Sequence, residues 1–138
     1  MESGRIIELL KYRMDRAEEN LLAAKESVEK GRIYVAVRDL YYAMFQVILA
    51  IFLKDNIKAK THKSIIQKFS EVYILTGVFD RNYGRILNRL FSLRQDADYT
   101  DFSVIEQEDV IEYLSEVDQF LSEAKEYLEK WIKEQSEK

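Results

Sequence analysis

Apolar residues recur at helical spacing along most of this chain. In the first thirty positions they step by threes and fours, which predicts a helix with a narrow apolar stripe like a coiled-coil seam. Ser3 suits the N-cap of this helix, and Gly31 suits the position just beyond its end. The stripe consists of Ile6, Leu10, Met14, Ala17, Leu21, Ala24 and Val28.

The second predicted helix runs from about Ile33 to Leu53 and is apolar on nearly every side. Its main polar interruptions are Arg38, Asp39 and Gln46. A helix that is apolar all round has to be covered all round, so we expect it to be central to the fold or shared with a second subunit.

Three more helices follow in the pattern. The third starts after Thr61, its expected N-cap, and the fourth starts after Asp80. The fifth starts at Ser103 or Glu106, which together form a capping-box pattern, and its tail is expected to fray from about residue 133. The apolar faces are Ile65, Ile66, Phe69, Val72 and Tyr73, then Tyr83, Ile86, Leu87, Leu90 and Phe91, then Val110, Leu114, Val117, Leu121, Ala124, Leu128 and Trp131.

These five patterns predict an all-α fold. The chain has no proline and only four glycines, which favours long uninterrupted helices, and no strand pattern competes with them. Short connections between long helices make neighbours antiparallel. We therefore expect an up-and-down bundle of four to five helices that forms a single domain over residues 1–138.

The composition limits the classes of function. Without cysteine there is no disulfide framework and no thiolate metal site. The net charge is −4, from 21 basic and 25 acidic side chains. This balance excludes a dominant polybasic field, so any contact with nucleic acid would have to be local.

The sequence predicts a cytoplasmic protein that holds no metal or cofactor and does not cross a membrane. The N-terminal residues show no signal-peptide pattern, and the most apolar segment, Leu40 to Leu53, is shorter than the roughly 20 residues of a membrane span. His62 is the only histidine, and Ala59 stands where a Glu-x-x-His metal motif needs glutamate.

Two short segments could contribute to a site. In "RDLYYAMF", Arg38, Tyr41, Tyr42 and Phe45 lie at helical neighbour spacing, and the tyrosines are either core residues with hydroxyls at a rim or part of a binding site. In "KTHKS", Lys60 and Lys63 flank His62 at a helix start, where backbone N–H groups attract anions. The alternative for this segment is an exposed histidine that packs locally.

A third segment, "FSLRQDADYTDF", places Arg94 ahead of Asp96, Asp98, Tyr99 and Asp101 as the fourth apolar pattern ends. A structural explanation is an Arg94–Asp98 ion pair, which contributes only ~0.3–0.5 kcal/mol when exposed. Aspartates near a helix C-terminus are unfavourable toward the helix dipole. Because this cluster stabilises the helix poorly, it is a candidate site.

The three segments, in this order on a helical bundle, resemble the HEPN domain family (higher eukaryotes and prokaryotes nucleotide-binding). The chain is most similar to small stand-alone prokaryotic members with an Arg-x-x-x-Asp-Tyr signature, and the resemblance spans nearly all of it. It implies a dimerising bundle with a cleft between subunits. Many members are metal-independent ribonucleases that act as toxins beside a minimal nucleotidyltransferase antitoxin.

The resemblance also implies roles for individual residues. Arg94 matches an arginine that holds the scissile phosphate. The family's proton-transferring histidine, four to six residues later, has no counterpart, because Tyr99, Thr100 and Asp101 occupy those positions. His62 could take that role only if the fold brings it to Arg94. Tyr99 is also a candidate acceptor for nucleotidyl transfer by the partner enzyme.

Three hypotheses follow. The first is a toxin-like ribonuclease acting on RNA with Arg94 and His62 as catalytic residues. The second is a non-catalytic module that binds a nucleotide or a nucleotidyltransferase in the same cleft, and the third is a dimer-contact turn in which Arg94 pairs with carboxylates of the other subunit. A homodimer is expected under all three. The expected binding residues are Asp98, Tyr99, Tyr41, Tyr42, Lys60, Lys63 and Arg38.

Overall fold

The computed structural model describes residues 2–99 and 105–138, with the side chains of residues 3–95 and 105–138. Five α-helices and one π-helical segment make up these residues, and the described ranges contain no strand, which confirms the all-α prediction. The elements are α1 (Glu2–Glu29), α2 (Ile33–Lys54), α3 (His62–Phe69), the π segment (Ser70–Ile74), α4 (Arg81–Tyr99) and α5 (Gln107–Ser136).

The helix pairs α1–α2, α1–α5 and α4–α5 run antiparallel. Between α1 and α2, Arg13 Nη1 donates to Gln46 Oε1 at 3.1 Å, while Ser27 near the other end of α1 contacts Asp39 near the start of α2. The same reversal relates α5 to both α1 and α4, as shown by the pairs Lys25–Asp118 and Lys125–Glu18 and by the contacts Asn82–Glu116 and Arg89–Tyr113. The up-and-down bundle is therefore confirmed.

The local signals at most helix ends act as the sequence indicates. Gly31 has φ 73°, a conformation that glycine adopts without strain, and it follows α1. The Thr61 side chain accepts from the Ser64 backbone N–H at 3.0 Å, and the Ser64 hydroxyl completes a capping box. Asp80 accepts from the Asn82 backbone N–H at 2.8 Å. These caps fix where α3 and α4 begin.

Two helices differ from their expected bounds. α4 continues through Tyr99, so Arg94 lies more than one turn before its end rather than where the helix stops. α5 begins after Glu106, whose side chain makes no capping hydrogen bond, and Ser103 lies outside the described residues. At the other end, α5 stays helical to Ser136, past the point where fraying was expected.

α2 is the central helix and packs against α1, α4 and α5. By length and composition α2 could also cross a membrane, because it extends beyond the apolar stretch Leu40 to Leu53, but 61% of its most apolar window is buried inside the bundle. Cytoplasmic location therefore stays a prediction. The fully buried residues of α2 include Ala36, Val37, Leu40, Tyr41, Ala43, Met44, Val47, Ile48, Ala50 and Ile51.

A π-helical segment prolongs α3, which periodicity alone did not predict. The Leu75 N–H donates to the Ser70 carbonyl at 2.9 Å, the five-residue step that defines this geometry. The extra residue per turn keeps both Tyr73 and Ile74 buried. On the facing helix, a Cβ placed on Gly84 would lie 3.4 Å from Ile74 Cγ1, an ordinary van der Waals distance, so α4 lies next to the π segment here without needing a glycine.

A polar cluster joins the π segment to the end of α2. The hydroxyl of Tyr73, a residue only 1% exposed, donates to Asp55 Oδ2. Lys54 Nζ lies 2.7 Å from Asp55 Oδ1 and 5.0 Å from the ring centroid of Tyr127 on α5. Burial and the Asp55 carboxylate raise the pKa of Tyr73, so its phenol stays protonated and donates. The cluster fixes α2, the π segment and α5 relative to one another.

We predict that Tyr73→Phe destabilises the fold by about 1 kcal/mol, because the buried phenol loses its hydrogen bond to Asp55, whose exposed carboxylate can bind water instead. Urea unfolding followed by circular dichroism measures the change. Tyr12→Phe is the matched control, because the Tyr12 hydroxyl is exposed and accepts only from Arg16, so a change within ~0.5 kcal/mol is expected. Equal stabilities for the Tyr73→Phe protein and the unmodified protein would contradict this role.

Candidate functional site

Tyr41 joins three helices at one point of the bundle. Its ring lies on α2 and is completely buried. Its hydroxyl oxygen is 2.6 Å from Nδ1 of His62, the first residue of α3, and the two rings stack with centroids 5.7 Å apart at 19°. The hydrogen bond between the start of α3 and the middle of α2 therefore fixes the position of the histidine ring.

Aromatic rings surround His62 on its other sides. The Phe45 centroid lies 4.7 Å from the imidazole at an interplanar angle of 18°, and the Phe91 centroid lies 6.3 Å away at 22°. The histidine is half-buried between these rings. Burial lowers the pKa of His62, and the nearby Arg94 guanidinium lowers it further, so the neutral imidazole predominates at pH 7.

Arg94 approaches the same tyrosine from α4. Its guanidinium carbon lies 5.2 Å from the ring centroid of Tyr41 and 5.5 Å from that of Tyr42. The two tyrosine rings meet edge-on at 69°, so the cation lies over both of them. Such contacts contribute ~0.5–2 kcal/mol and help to orient the guanidinium. Arg94 and His62 therefore both contact the ring of Tyr41.

The protonation of Tyr41 determines what the histidine can do. Burial raises the pKa of Tyr41 to about 12, although the Arg94 charge acts in the opposite direction. The phenol is therefore protonated at neutral pH and can either donate to Nδ1 or accept from it. When Nδ1 carries the hydrogen, Nε2 has a lone pair and can act as a base; when the phenol donates, Nε2–H is a donor.

Comparison with known proteins identifies the family of this bundle. The model of the HEPN domain matches residues 10–128, which includes all of α2, α3 and the π segment and all of α4. The chain belongs to the HEPN domain family. The resemblance inferred from the three sequence segments is therefore confirmed.

Three relatives of this HEPN chain come from two organisms, Thermotoga maritima and Methanocaldococcus jannaschii. A "UPF0332 protein" of Thermotoga maritima is 27% identical over 121 residues, which cover 88% of this chain and 92% of that protein. The "Putative toxin MJ0605" of Methanocaldococcus jannaschii is 38% identical over 67% of this chain and 69% of its own length. The "Putative toxin MJ0142" of the same organism is 30% identical over 83% of this chain and 78% of its own length.

Some of the residues predicted for the HEPN site lie together and others do not. Tyr41, Tyr42, His62 and Arg94 form one cluster, which we call the tyrosine cluster. The exposed Arg38 lies on α2 one turn before Tyr42. The exposed Lys60 and Lys63 flank His62 along the chain. The backbones of Asp98 and Tyr99 belong to α4, but their side chains lie outside the described residues.

Phe91 is a site residue that the sequence analysis did not select, and Phe45 was noted in "RDLYYAMF" but was not among the expected binding residues. Both rings stack near the imidazole, and Phe91 also lies 5.8 Å from the Tyr41 ring. Their helical spacing was a usable signal, because Phe45 is four residues after Tyr41 and Phe91 is three residues before Arg94. Within the described residues, no group of three or more histidine, aspartate or glutamate side chains could hold a metal ion.

We predict that His62 titrates with a pKa below 6.5 and that Arg94→Gln raises this pKa only part of the way back. The rise is partial because burial, the larger cause, remains in the variant. NMR of the imidazole C–H signals measures both values, and the spectrum is simple because His62 is the only histidine. An Arg89→Gln protein on the same helix is the control and should titrate like the unmodified protein. A His62 pKa at or above 6.5 would contradict the geometry.

Proposed function

We propose that this HEPN chain is a toxin-like, metal-independent ribonuclease whose tyrosine cluster acts on an RNA phosphodiester. The observation that carries the proposal is that Arg94 and His62 contact one buried ring, Tyr41. A phosphate-binding cation and a titratable base from different helices are thereby held close together. The names of the two Methanocaldococcus relatives, each called a putative toxin, support the broader class.

In this proposal Arg94 binds the scissile phosphate. A guanidinium offers several N–H donors in one plane, which matches the oxygens of a phosphodiester. The rings of Tyr41 and Tyr42 hold its carbon within 5.5 Å of their centroids, so little side-chain freedom is lost when the phosphate binds. The same charge stabilises the negative charge that develops on the phosphoryl oxygens.

His62 moves the protons. In the tautomer whose Nδ1–H donates to the Tyr41 oxygen, Nε2 accepts the proton of the 2′-hydroxyl. The 2′-oxygen then bonds to phosphorus while the bond from phosphorus to the 5′-oxygen breaks. The 5′-oxygen takes a proton from a water molecule, and the His62 imidazolium returns the proton that it took from the 2′-hydroxyl to the solvent. The products are a 2′,3′-cyclic phosphate and a 5′-hydroxyl. A bound phosphate offsets the Arg94 charge and moves the pKa of His62 up toward neutrality.

We predict that His62→Ala and Arg94→Ala each lower the rate of RNA cleavage by on the order of 100-fold or more, because each removes one proposed catalytic group. Cleavage of a fluorescent oligoribonucleotide in the presence of EDTA measures the rate. Lys130→Ala, on the exposed surface of α5, is the control and should cleave normally. Cleavage that persists in both site variants, or that requires a divalent metal, would contradict the proposal.

A second candidate is a non-catalytic module that binds a nucleotide in the same cluster. It is favoured by the absence of histidine at positions 99 to 101 and by the second tautomer, in which Nε2–H is only a donor. Together with Arg94, this Nε2–H donor would bind an anion without cleaving it. This candidate predicts a nucleotide-dependent rise in Tm that Arg94→Ala abolishes, with no cleavage by the unmodified protein.

The outer face of α2 supports a homodimer that completes the site. Val35 is 44% exposed, and Tyr42, Phe45 and Leu49 are half-buried along the same face at helical spacing. Tyr42 and Phe45 also belong to the surroundings of Arg94 and His62. A second copy packed on this face would cover apolar surface and close the cluster from one side.

We predict that Leu49→Glu converts a dimer into a monomer, because it places a charge in the proposed interface. Sedimentation velocity measures the state of association. Ile111→Glu on α5 is the matched control, since this position is 49% exposed and lies away from α2's outer face, and it should remain dimeric. A monomeric unmodified protein, or a dimer that tolerates Leu49→Glu, would contradict this interface.

We also propose a minimal nucleotidyltransferase as the antitoxin partner, with Tyr99 as the acceptor of the nucleotidyl group. The support is membership in the HEPN family, the toxin names of two relatives and the position of Tyr99 five residues after Arg94 on α4. Added mass that persists in a Tyr99→Phe protein after co-expression with such an enzyme would contradict this acceptor.

A further inference from the structure

The charges of this chain are strongly segregated, although its net charge is only −4. Residues 54–95 contain nine basic and three acidic side chains, whereas the rest of the chain contains 12 basic and 22 acidic ones. The central segment forms the end of α2, α3, the π segment and most of α4. Its basic residues are Lys54, Lys58, Lys60, Lys63, Lys68, Arg81, Arg85, Arg89 and Arg94.

An open groove runs between α3 with its π segment and α4. It consists of two depressions of about 530 and 400 Å³ that share Ser70 and Asn88 as lining residues. One end is lined by Lys63 and by Phe91, whose ring stacks near His62. The other end is lined by two arginines of the first turns of α4, Arg81 and Arg85. The groove therefore leads away from the tyrosine cluster.

The dimensions of α4 set the length of this groove. Arg94 and Arg81 are 13 residues apart on one helix, which corresponds to about 20 Å at the usual rise per residue. This distance exceeds the size of a mononucleotide. The groove can therefore contact several successive units of a chain whose reacting phosphate lies at Arg94.

The groove lining combines three cations with neutral polar residues (Gln67, Ser70 and Asn88) and with apolar residues (Ile66, Ile74, Leu75 and Phe91). Lys63, Arg81 and Arg85 are exposed, and the Arg85 guanidinium donates to Asn82 Oδ1 at 2.7 Å. The one acidic lining residue, Glu71, accepts from Gln67 Nε2 at 3.0 Å. Cations spaced along a groove that ends at an aromatic ring are typical of sites for single-stranded nucleic acid, in which bases stack and phosphates pair.

We propose that this groove, which we call the α3–α4 track, binds the single-stranded RNA that flanks the cleaved phosphodiester. The proposal rests on the proposed function, because it names the path of the same substrate. Lys63, Arg81 and Arg85 neutralise successive phosphates, and Phe91 stacks on a base next to the reacting phosphate. An acidic protein surface would be complementary to the charge but not to a narrow track that continues into a phosphate-binding cluster.

The test compares oligonucleotides of increasing length. Fluorescence anisotropy measures the binding of 2′-O-methyl oligouridylates, which cannot be cleaved, from a dinucleotide to roughly an octamer, lengths within the usual range for such grooves. Affinity is expected to rise with length for the unmodified protein. In the double variant Arg81→Glu and Arg85→Glu, octamer affinity should fall at least tenfold, and the salt dependence should decrease by about 1.4 in slope for two lost phosphate contacts.

Matched controls separate the track from general charge and from folding. The double variant Lys130→Glu and Lys133→Glu has the same net charge but changes exposed residues of α5, and its octamer affinity should stay within twofold of the unmodified protein. The neutral double variant Arg81→Gln and Arg85→Gln provides a second measurement if charge reversal impairs folding. Dinucleotide affinity should be unchanged in both arginine variants, because a dinucleotide reaches only the tyrosine cluster.

The outcomes distinguish this proposal from the proposed function. Length-dependent binding that needs Arg81 and Arg85 supports the track even if the unmodified protein cleaves no RNA. Equal losses of octamer affinity in the α4 and α5 double variants overturn the proposal, because the affinity would then depend on the overall charge of the protein and not on the groove. Unchanged octamer affinity in the arginine variants also overturns it, whether or not the protein binds polyglutamate as a model of an acidic partner.

Discussion

The site depends on the contacts that one buried phenol makes with a histidine and an arginine. Tyr41 is inaccessible to solvent, its hydroxyl bonds to His62 at the start of α3, and its ring lies below the Arg94 guanidinium of α4. The high pKa of this phenol keeps it neutral, so it orients both groups without adding a charge of its own. The Tyr41 ring contacts both groups, while Phe45 and Phe91 contact the imidazole from other sides and Tyr42 contacts the guanidinium.

Other contacts in the bundle hold α2, α3 and α4 in fixed positions relative to one another. Thr61 and Ser64 cap α3 so that it begins at His62, and the polar cluster around Asp55 holds the π segment against the end of α2. Gly84 of α4 lies next to Ile74 of the π segment. The same packing creates the α3–α4 track beside the tyrosine cluster, so one arrangement of helices produces both the proposed phosphate-binding position and the basic groove next to it.

Local features were predictable from the sequence, and non-local ones were not. Periodicity and capping residues such as Thr61 and Asp80 gave the helices and their order, because these signals act within one or two turns. The hydrogen bond between Tyr41 and His62 joins residues 21 positions apart, and its formation depends on packing between helices. The π segment was not predicted from the sequence, because one extra residue per turn leaves the apolar pattern nearly unchanged. The excess of basic residues between positions 54 and 95 could have been recognised from the sequence. The net charge of −4 does not show it, because acidic residues elsewhere in the chain outweigh it.

The central claim is that a phosphate binds between Arg94 and His62. NMR of the single histidine during titration with 2′-O-methyl uridylyl-uridine tests it most directly, because this dinucleotide binds without being cleaved. If phosphate binds between Arg94 and His62, the dinucleotide shifts the His62 ring signals and raises the pKa of His62. The reason is that a phosphate anion stabilises the imidazolium and offsets the Arg94 charge. Ring signals and a pKa that stay unchanged at saturating dinucleotide would contradict the account.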